Sequence, residues 1–333
     1  MKKYNIAVVG ATGLVGKKMI EVLEEHNLPI NTLLPLASSK SAGKKIFFSG
    51  KEIKIEELKE SSFDIIDIAL FSAGGDISRI YAPIAARSGC IVIDNSSAFR
   101  MDDDVPLVVP EVNAEALKNH KGIIANPNCS TIQLMLPVKV LMDNYGIDRL
   151  ICSTYQSITG AGQKGLDKLN KEIDMGIGAE FNDNQEPIAY NTLFHEMTDN
   201  GFTDEENKMI NETRKILKDE NMKLAYTCVR IPTIGGHAES VNIDLSKSYE
   251  IDDIKKLFLN TDGLVYIDEI TSNSYPTPNN VNDKDTVFVS RLRRDDSTNN
   301  GLYMWVVADN LRKGAATNAV QIAEKLIEME LLD

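Results

Sequence analysis

Residues 3–16 read "KYNIAVVGATGLVG". A short apolar run ends in Gly10, and Gly13 and Gly16 follow at three-residue intervals. Beyond them Leu14, Val15, Met19, Val22 and Leu23 recur near helical spacing. The pattern predicts a strand, a glycine turn and a helix. Glycines let the backbone turn tightly and approach a ligand closely, and a helix start offers unpaired N–H groups to a phosphate. The spacing is G-x-x-G-x-x-G rather than the usual G-x-G-x-x-G, and a purely structural βα turn would carry the same glycines. What favours a nucleotide is the position after the first strand of a βαβ unit. Gly10 and Gly13 are the candidate contacts.

The pattern repeats outward. Strands are predicted at 31–38 (interrupted by Pro35), 63–75, 90–96, 106–113 and 122–128, with a helix at 76–89. Apolar strands alternating with helices imply a parallel sheet covered on both faces. After the second strand an NAD site usually places Asp or Glu on the ribose. Here "LASSKSAGKK" (36–45) has no carboxylate, and Ser38, Ser39, Lys40 and Ser41 suit a 2′-phosphate. NADP is expected over NAD, although a solvated Lys/Ser loop would look the same in isolation.

From residue 129 the character changes. "STIQLMLPVKVLMDNYG" (130–146) is apolar nearly all round and predicts a buried helix, with Pro137 a candidate kink. A strand is expected at 148–160 and a charged helix within 196–223. Strands then dominate: 224–232, 239–246, 285–293 and 302–308. An amphipathic helix closes the chain at 310–331. The expected fold class is α/β: an N-terminal Rossmann-type dinucleotide-binding domain plus an α+β domain with a mixed sheet. The first domain is residues 1–128 completed by 310–333, and the second is 129–309.

The 333 residues carry a formal net charge of −13, which argues against a nucleic-acid partner. It leaves room for an anionic substrate held by a few local cations. No apolar run is long enough to cross a bilayer, and the N-terminus lacks a signal-peptide pattern. The four cysteines are widely spaced, with no CxxC pair. No metal site or disulfide framework is expected, and a reducing cytoplasm is the simplest location.

Cys129 stands in "NPNCST" (126–131), just before the buried helix. A helix N-terminus favours a thiolate. Free cysteine is also a common core residue, so this stretch leaves nucleophile and core residue open. Cys90, Cys152 and Cys228 lie within strand patterns and are expected to be buried. Of the four histidines, His26 and His120 are expected at the surface, and His195, amid apolar neighbours, to be structural. His237 follows two glycines, with Arg230 seven residues earlier. An Arg near a His suggests an anion anchor beside an acid/base group.

Taken together, "AVVGATGLVG", "LASSKSAGK", "FSAGG", "DNSSAFRMD", "VPLVVPEVN", "NPNCST", "TYQSITGAG", "RIPTIGGHAES" and "VADNLRKGAATNAVQIAE" closely resemble the aspartate-semialdehyde dehydrogenases, in family order along nearly the whole chain. The resemblance implies NADPH-dependent reductive dephosphorylation of L-aspartyl 4-phosphate to aspartate semialdehyde and phosphate, toward lysine, threonine and methionine. It implies Cys129 as the acyl-thioester nucleophile, His237 as acid/base and Gln156 as a contact to the acyl group. Arg230 would anchor the α-carboxylate, Arg100 and Lys208 the phosphate, and Glu205 the α-amino group. Asn128 joins the substrate-binding set. Thr12, Gly13, Leu14, Val15, Thr159, Gly160 and Asn310 are implied as cofactor contacts. The family often carries Arg where Lys40 stands, and Lys lacks the bidentate fork. A homodimer or tetramer is implied through the second domain. Two alternatives stand beside this reading: an N-acetyl-γ-glutamyl-phosphate reductase-like enzyme, and a catalytically inactive NADP-binding regulator.

Overall fold

The structure, a computed structural model, describes residues 2–176, 186–268 and 274–332. The chain divides into two compact units: Met1–Asn128 with Ala315–Asp333, and Cys129–Gly314.

The first unit is a six-stranded parallel sheet. Its strands are β1 (Tyr4–Val9), β2 (Ile30–Ala37), β5 (Glu56–Glu57), β6 (Ile68–Phe71), β7 (Ile91–Asp94) and β8 (Ile123–Ala125), in the order β5-β2-β1-β6-β7-β8. A small antiparallel pair, β3 (Lys45–Phe48) and β4 (Lys51–Lys54), stands outside it. Alternation along β1 explains why the sheet is covered twice. Ile6 and Val8 pack with α1 (Leu14–Glu25) and the C-terminal helix Thr317–Glu328. Ala7 and Val9 pack with Phe63 and with Ala82 and Ala85 of α2 (Gly75–Arg87). Each fully buried large aliphatic side chain contributes about 1.5–3 kcal/mol. Pro35 is accommodated within β2, opposite Val8 of β1. The order reverses at β1, so a crevice forms beyond its carboxyl end.

One strand expectation fails. Residues 106–113 form a single bridge at Leu107 and then the short helix α3 (Pro110–Asn113). Pro110 occupies the first helical turn, where its missing N–H costs nothing. Asn113 accepts from the Val109 N–H at 2.9 Å and donates to the Leu107 carbonyl at 2.9 Å. Local side-chain bonds thus take the place of a strand ladder. The two histidines expected at the surface are half-buried: His26 bonds Glu324 at 3.0 Å, and His120 accepts from the Gly122 N–H at 3.2 Å.

The second unit opens with α4 (Cys129–Tyr145), one continuous helix through Pro137 and buried from Ser130 to Val138. Its mixed sheet is built from β9 (Ile147–Ser157), β10 (Leu193–Phe194), β11 (Leu224–Ile231), β12 (His237–Leu245), β13 (Leu264–Tyr266), β14 (Val287–Asp295) and β15 (Gly301–Ala308). The order is β10-β11-β9-β12-β15-β14-β13; β11–β9 and β13–β14 pair in parallel and the rest antiparallel. Helices α5 (Gly162–Met175), α6 (Asp204–Leu217) and α7 (Ile251–Leu259) complete the unit. α4 packs against β9, β12, β14, β15, α6 and α7. The alternate residues of the central strands, among them Ser153, Tyr155, Ser240, Tyr303 and Trp305, stay at least partly exposed on the other face. Residues Asn310–Gly314 belong with this unit, so the chain returns to the first at Ala315 rather than at 310.

Candidate active site

At the turn after β1, Gly10 has φ +88° and a Cβ there would lie 2.9 Å from the Ser72 carbonyl carbon. Only glycine fits both demands. Gly16 packs its Cα face on the Gly10 carbonyl, where a Cβ would overlap. The Gly13 N–H bonds the Gly10 carbonyl at 2.9 Å, and Gly13 caps α1 with no side-chain bond. The first turn of α1 also lacks an acidic residue, so its N–H groups are left to an anion. Beside the turn is a cavity of about 320 Å³ lined by Val9, Gly10, Thr12, Ala37, Ser38, Leu58, Ala73, Ile77 and Tyr81. Apolar walls beside an uncapped helix start suit the adenosine and phosphates of a dinucleotide. Leu14 and Val15 are half-buried behind the turn, while Ser38, Ser39 and Lys40 are exposed and Ser41 half-exposed.

In the same unit Arg100 is nearly buried. Its Nε donates to the Asn126 carbonyl at 2.9 Å and an Nη to the Asn95 carbonyl at 3.0 Å. Asn126 is itself fixed by Asn95, Asn318 and the Ala315 carbonyl. The loop that ends in buried Asn128 is therefore rigidly held.

The second unit begins at Cys129, the first residue of α4. Its Sγ lies 3.2 Å from His237 Nε2. β12 and β9 pair so that His237, the first residue of β12, comes beside the end of β9. There the Ser157 N–H donates to His237 Nδ1 at 2.9 Å. This bond fixes the tautomer: Nδ1 must keep its lone pair, so the proton sits on Nε2 and points at sulfur. An imidazolium would set two N–H donors against each other. Full burial, and then the Arg230 charge, push the imidazole down to about 3. The pair is thus a neutral N–H donor facing sulfur, an arrangement that favours a thiolate and later an oxyanion.

Arg230 Nη1 donates to the Ser157 carbonyl at 2.7 Å. It is close enough to Cys129 and Glu205 to feel both charges. Gln156 Nε2 donates to Ser130 Oγ at 2.9 Å and to Glu205 Oε1 at 3.1 Å. The carboxylate can only accept, which settles the amide orientation. Gln156 Oε1 is then buried with no partner of its own. Glu205 lies in the first turn of α6, behind a capping box of Thr203 and Glu206. Lys208 reaches Asp204 at 2.5 Å and Glu205 at 3.4 Å. Gly160 serves close packing: a Cβ would lie 2.6 Å from Arg230 Nη1 and 3.4 Å from the His237 ring. Thr159 Oγ1 is 2.9 Å from Asn310 Oδ1. The second unit therefore gathers Cys129, Gln156, Glu205, Arg230 and His237 into one cluster.

Two domain families match the chain. The semialdehyde dehydrogenase, NAD binding domain spans residues 5–120, and the semialdehyde dehydrogenase, dimerisation domain spans residues 138–313. The aspartate-semialdehyde dehydrogenase of Aquifex aeolicus is 50% identical, over 99% of this chain and 99% of the relative. The chain belongs to the aspartate-semialdehyde dehydrogenase family. The crystal structure of aspartate semialdehyde dehydrogenase II complexed with ASA from Vibrio cholerae superposes with a TM-score of 0.94 at 44% identity, covering 98% of this chain and 99% of that one. The Candida albicans enzyme with NADP gives 0.80 at 25% identity, covering 99% and 100%. These matches indicate a nicotinamide dinucleotide cofactor and, through the dimerisation domain, an oligomer.

The other three cysteines, Cys90, Cys152 and Cys228, are buried. Burial pushes Cys90 up to about 12 and Cys152 and Cys228 well above the ordinary thiol range. Several residues near the cluster escaped the sequence reading. Gln133 Nε2 donates to the His237 carbonyl at 3.3 Å, and desolvation raises the pKa of fully buried Glu239 well above the usual carboxylate range. Gly314 leaves room for Cys129, whose Cβ a side chain there would approach to 3.0 Å. Gly314 lies in the "RKGAA" stretch, where a glycine before two alanines was its one signal. His195, expected to be structural, lies among the charges of Glu205, Arg230, Lys208 and Asp204. Among the described residues no group of three or more His, Cys, Asp or Glu side chains could hold a metal ion, and no helix is long and apolar enough to cross a membrane.

Proposed function

We propose that this chain catalyses the NADPH-dependent reductive dephosphorylation of L-aspartyl 4-phosphate to L-aspartate 4-semialdehyde, and the reverse reaction with phosphate. The observation that carries the reading is the contact between Cys129 Sγ and the proton-bearing Nε2 of His237 at 3.2 Å. The Cys129 thiolate attacks the acyl carbon, the C–O bond to phosphate breaks and a thioester forms. Arg100 and Lys208 neutralise the departing phosphate, Arg230 holds the α-carboxylate, and Glu205 receives the α-ammonium. Gln156 and Asn128 orient the acyl group. A bound nicotinamide dinucleotide supplies the hydride. His237 keeps its proton at Nε2, facing first the thiolate and then the oxyanion. Collapse of the oxyanion breaks the C–S bond and returns the thiolate.

The glycine turn, with Gly10, Thr12, Gly13, Leu14 and Val15, is the proposed phosphate cradle. Ser38, Ser39, Lys40 and Ser41 would receive a 2′-phosphate and so favour NADP. Thr159, Gly160 and Asn310 complete the cofactor set. The open face of the second sheet, with Tyr155 and Trp305 rings 5.7 Å apart, supplies the proposed homodimer contact. A cytoplasmic role in lysine, threonine and methionine synthesis follows from the reaction.

The test is NADP reduction by L-aspartate semialdehyde with and without phosphate, repeated with NAD. Phosphate-dependent turnover with a preference for NADP is expected. Preferential reduction of N-acetyl-γ-glutamyl phosphate over aspartyl phosphate would transfer the reading to that reductase class. Cofactor binding without turnover of either would leave a regulator. The full-length identity to aspartate-semialdehyde dehydrogenases favours neither alternative.

A further inference from the structure

His195 is bound into the wall of the substrate cluster by the backbone. β10 pairs antiparallel with β11, Leu193 opposite Arg230 and Phe194 opposite Val229. His195 follows directly on β10, so the pairing of Leu193 with Arg230 holds it beside that part of β11. The next residue is pinned as well: the Glu196 carbonyl accepts the Asp204 N–H at 2.8 Å, tying this segment to the start of α6, where Glu205 sits. The imidazole interacts with Glu205, Arg230, Lys208 and Asp204. Its Nε2 is buried and has no hydrogen-bond partner. A buried polar nitrogen without a partner, amid the groups assigned to an amino-acid head, is a donor or acceptor left for the ligand.

We propose that His195 is a further specificity residue, its Nε2–H donating to the substrate α-carboxylate alongside Arg230. The inference rests on the proposed reaction and extends its head-group site. Burial lowers the imidazole pKa, which favours the neutral ring. A neutral donor beside the Arg230 guanidinium adds a directional bond to the carboxylate without adding like charge. The α-ammonium is left to Glu205.

The test compares wild type, His195→Phe, His195→Asn and His195→Gln in phosphate-dependent NADP reduction by L-aspartate semialdehyde, with KM taken separately for aldehyde, phosphate and NADP. His195→Phe and His195→Asn are expected to raise the aldehyde KM about tenfold, the effect of one hydrogen bond to a charged group. Their kcat should stay within about twofold, and the KM for phosphate and NADP should not move. His195→Gln restores a donor near the Nε2 position and should recover most of the aldehyde KM, which a purely structural role would not predict. Unchanged aldehyde KM in both the Phe and Asn variants overturns the proposal, as does a parallel rise in all three KM values or a loss confined to kcat. If wild type itself does not turn over aspartate semialdehyde, the reaction assignment fails and this inference falls with it.

Discussion

The two units hold their chemistry in opposite ways. In the first, the candidate cofactor turn is contiguous and made of backbone: Gly10, Gly13 and Gly16 work through what they lack, and α1 offers its uncapped N–H groups. In the second, the cluster is made of side chains from five separate segments: Cys129 on α4, Gln156 on β9, Glu205 on α6, Arg230 on β11 and His237 on β12. The first sheet is covered on both faces by helices, whereas the second leaves alternate residues of its central strands open. A binding turn can therefore be read from one short stretch of sequence. A side-chain pair 108 positions apart, proposed here to react, depends on sheet register.

Substitutions can break this contrast. The largest effect should come from Cys129→Ala, which removes the proposed nucleophile in the second unit and leaves the glycine turn untouched. Turnover should fall by about 10⁴-fold or more, while NADP binding by titration calorimetry stays within about twofold; joint loss of both would end the division of labour. His237→Asn should lower kcat about 10²–10³-fold. It also carries a pH signature. The folded imidazole titrates at about 3 and an ordinary histidine at 6.5. Between those values the unfolded chain holds more protons at this residue, so stability falls as pH drops through the window, by about 1.4 kcal/mol per unit. Urea unfolding across that range should show a shallower decline in the variant.

Gly10→Ala sharpens the comparison from the other side. The positive φ and the approach to Ser72 should cost about 1–3 kcal/mol, read as a lower Tm with weakened NADP binding. An NADP affinity equal to wild type would remove the turn from the site. Lys40→Asp should have the smallest effect: it should lower the NADP/NAD preference in kcat/KM by about tenfold, with little change in Tm, and an unchanged ratio would sink the 2′-phosphate assignment.

How much was legible follows the same division. The strand–turn–helix of residues 3–16, the parallel sheet, the buried helix after Cys129 and the burial of the other three cysteines were all readable, because each depends on local periodicity. Residues 106–113 misled because Asn113 replaces ladder bonds with its own side chain. The charges around His195 come from Arg230 on β11 and from Asp204, Glu205 and Lys208 on α6, so its own sequence neighbours do not report them. The protonation of His237 was also beyond sequence reading: it depends on the Ser157 N–H, which the β9–β12 pairing delivers. Gln133 and Glu239 carried no local signal at all, since their burial depends on how α4 and β12 pack together.

The central claim is that Cys129, held against the Nε2 proton of His237, exchanges an acyl group with phosphate. The most direct measurement is NADP reduction by L-aspartate semialdehyde as a function of phosphate, in wild type and in Cys129→Ala. Turnover that requires phosphate and vanishes in the variant is the predicted result. Turnover that is independent of phosphate, or that persists without the thiol, would contradict it.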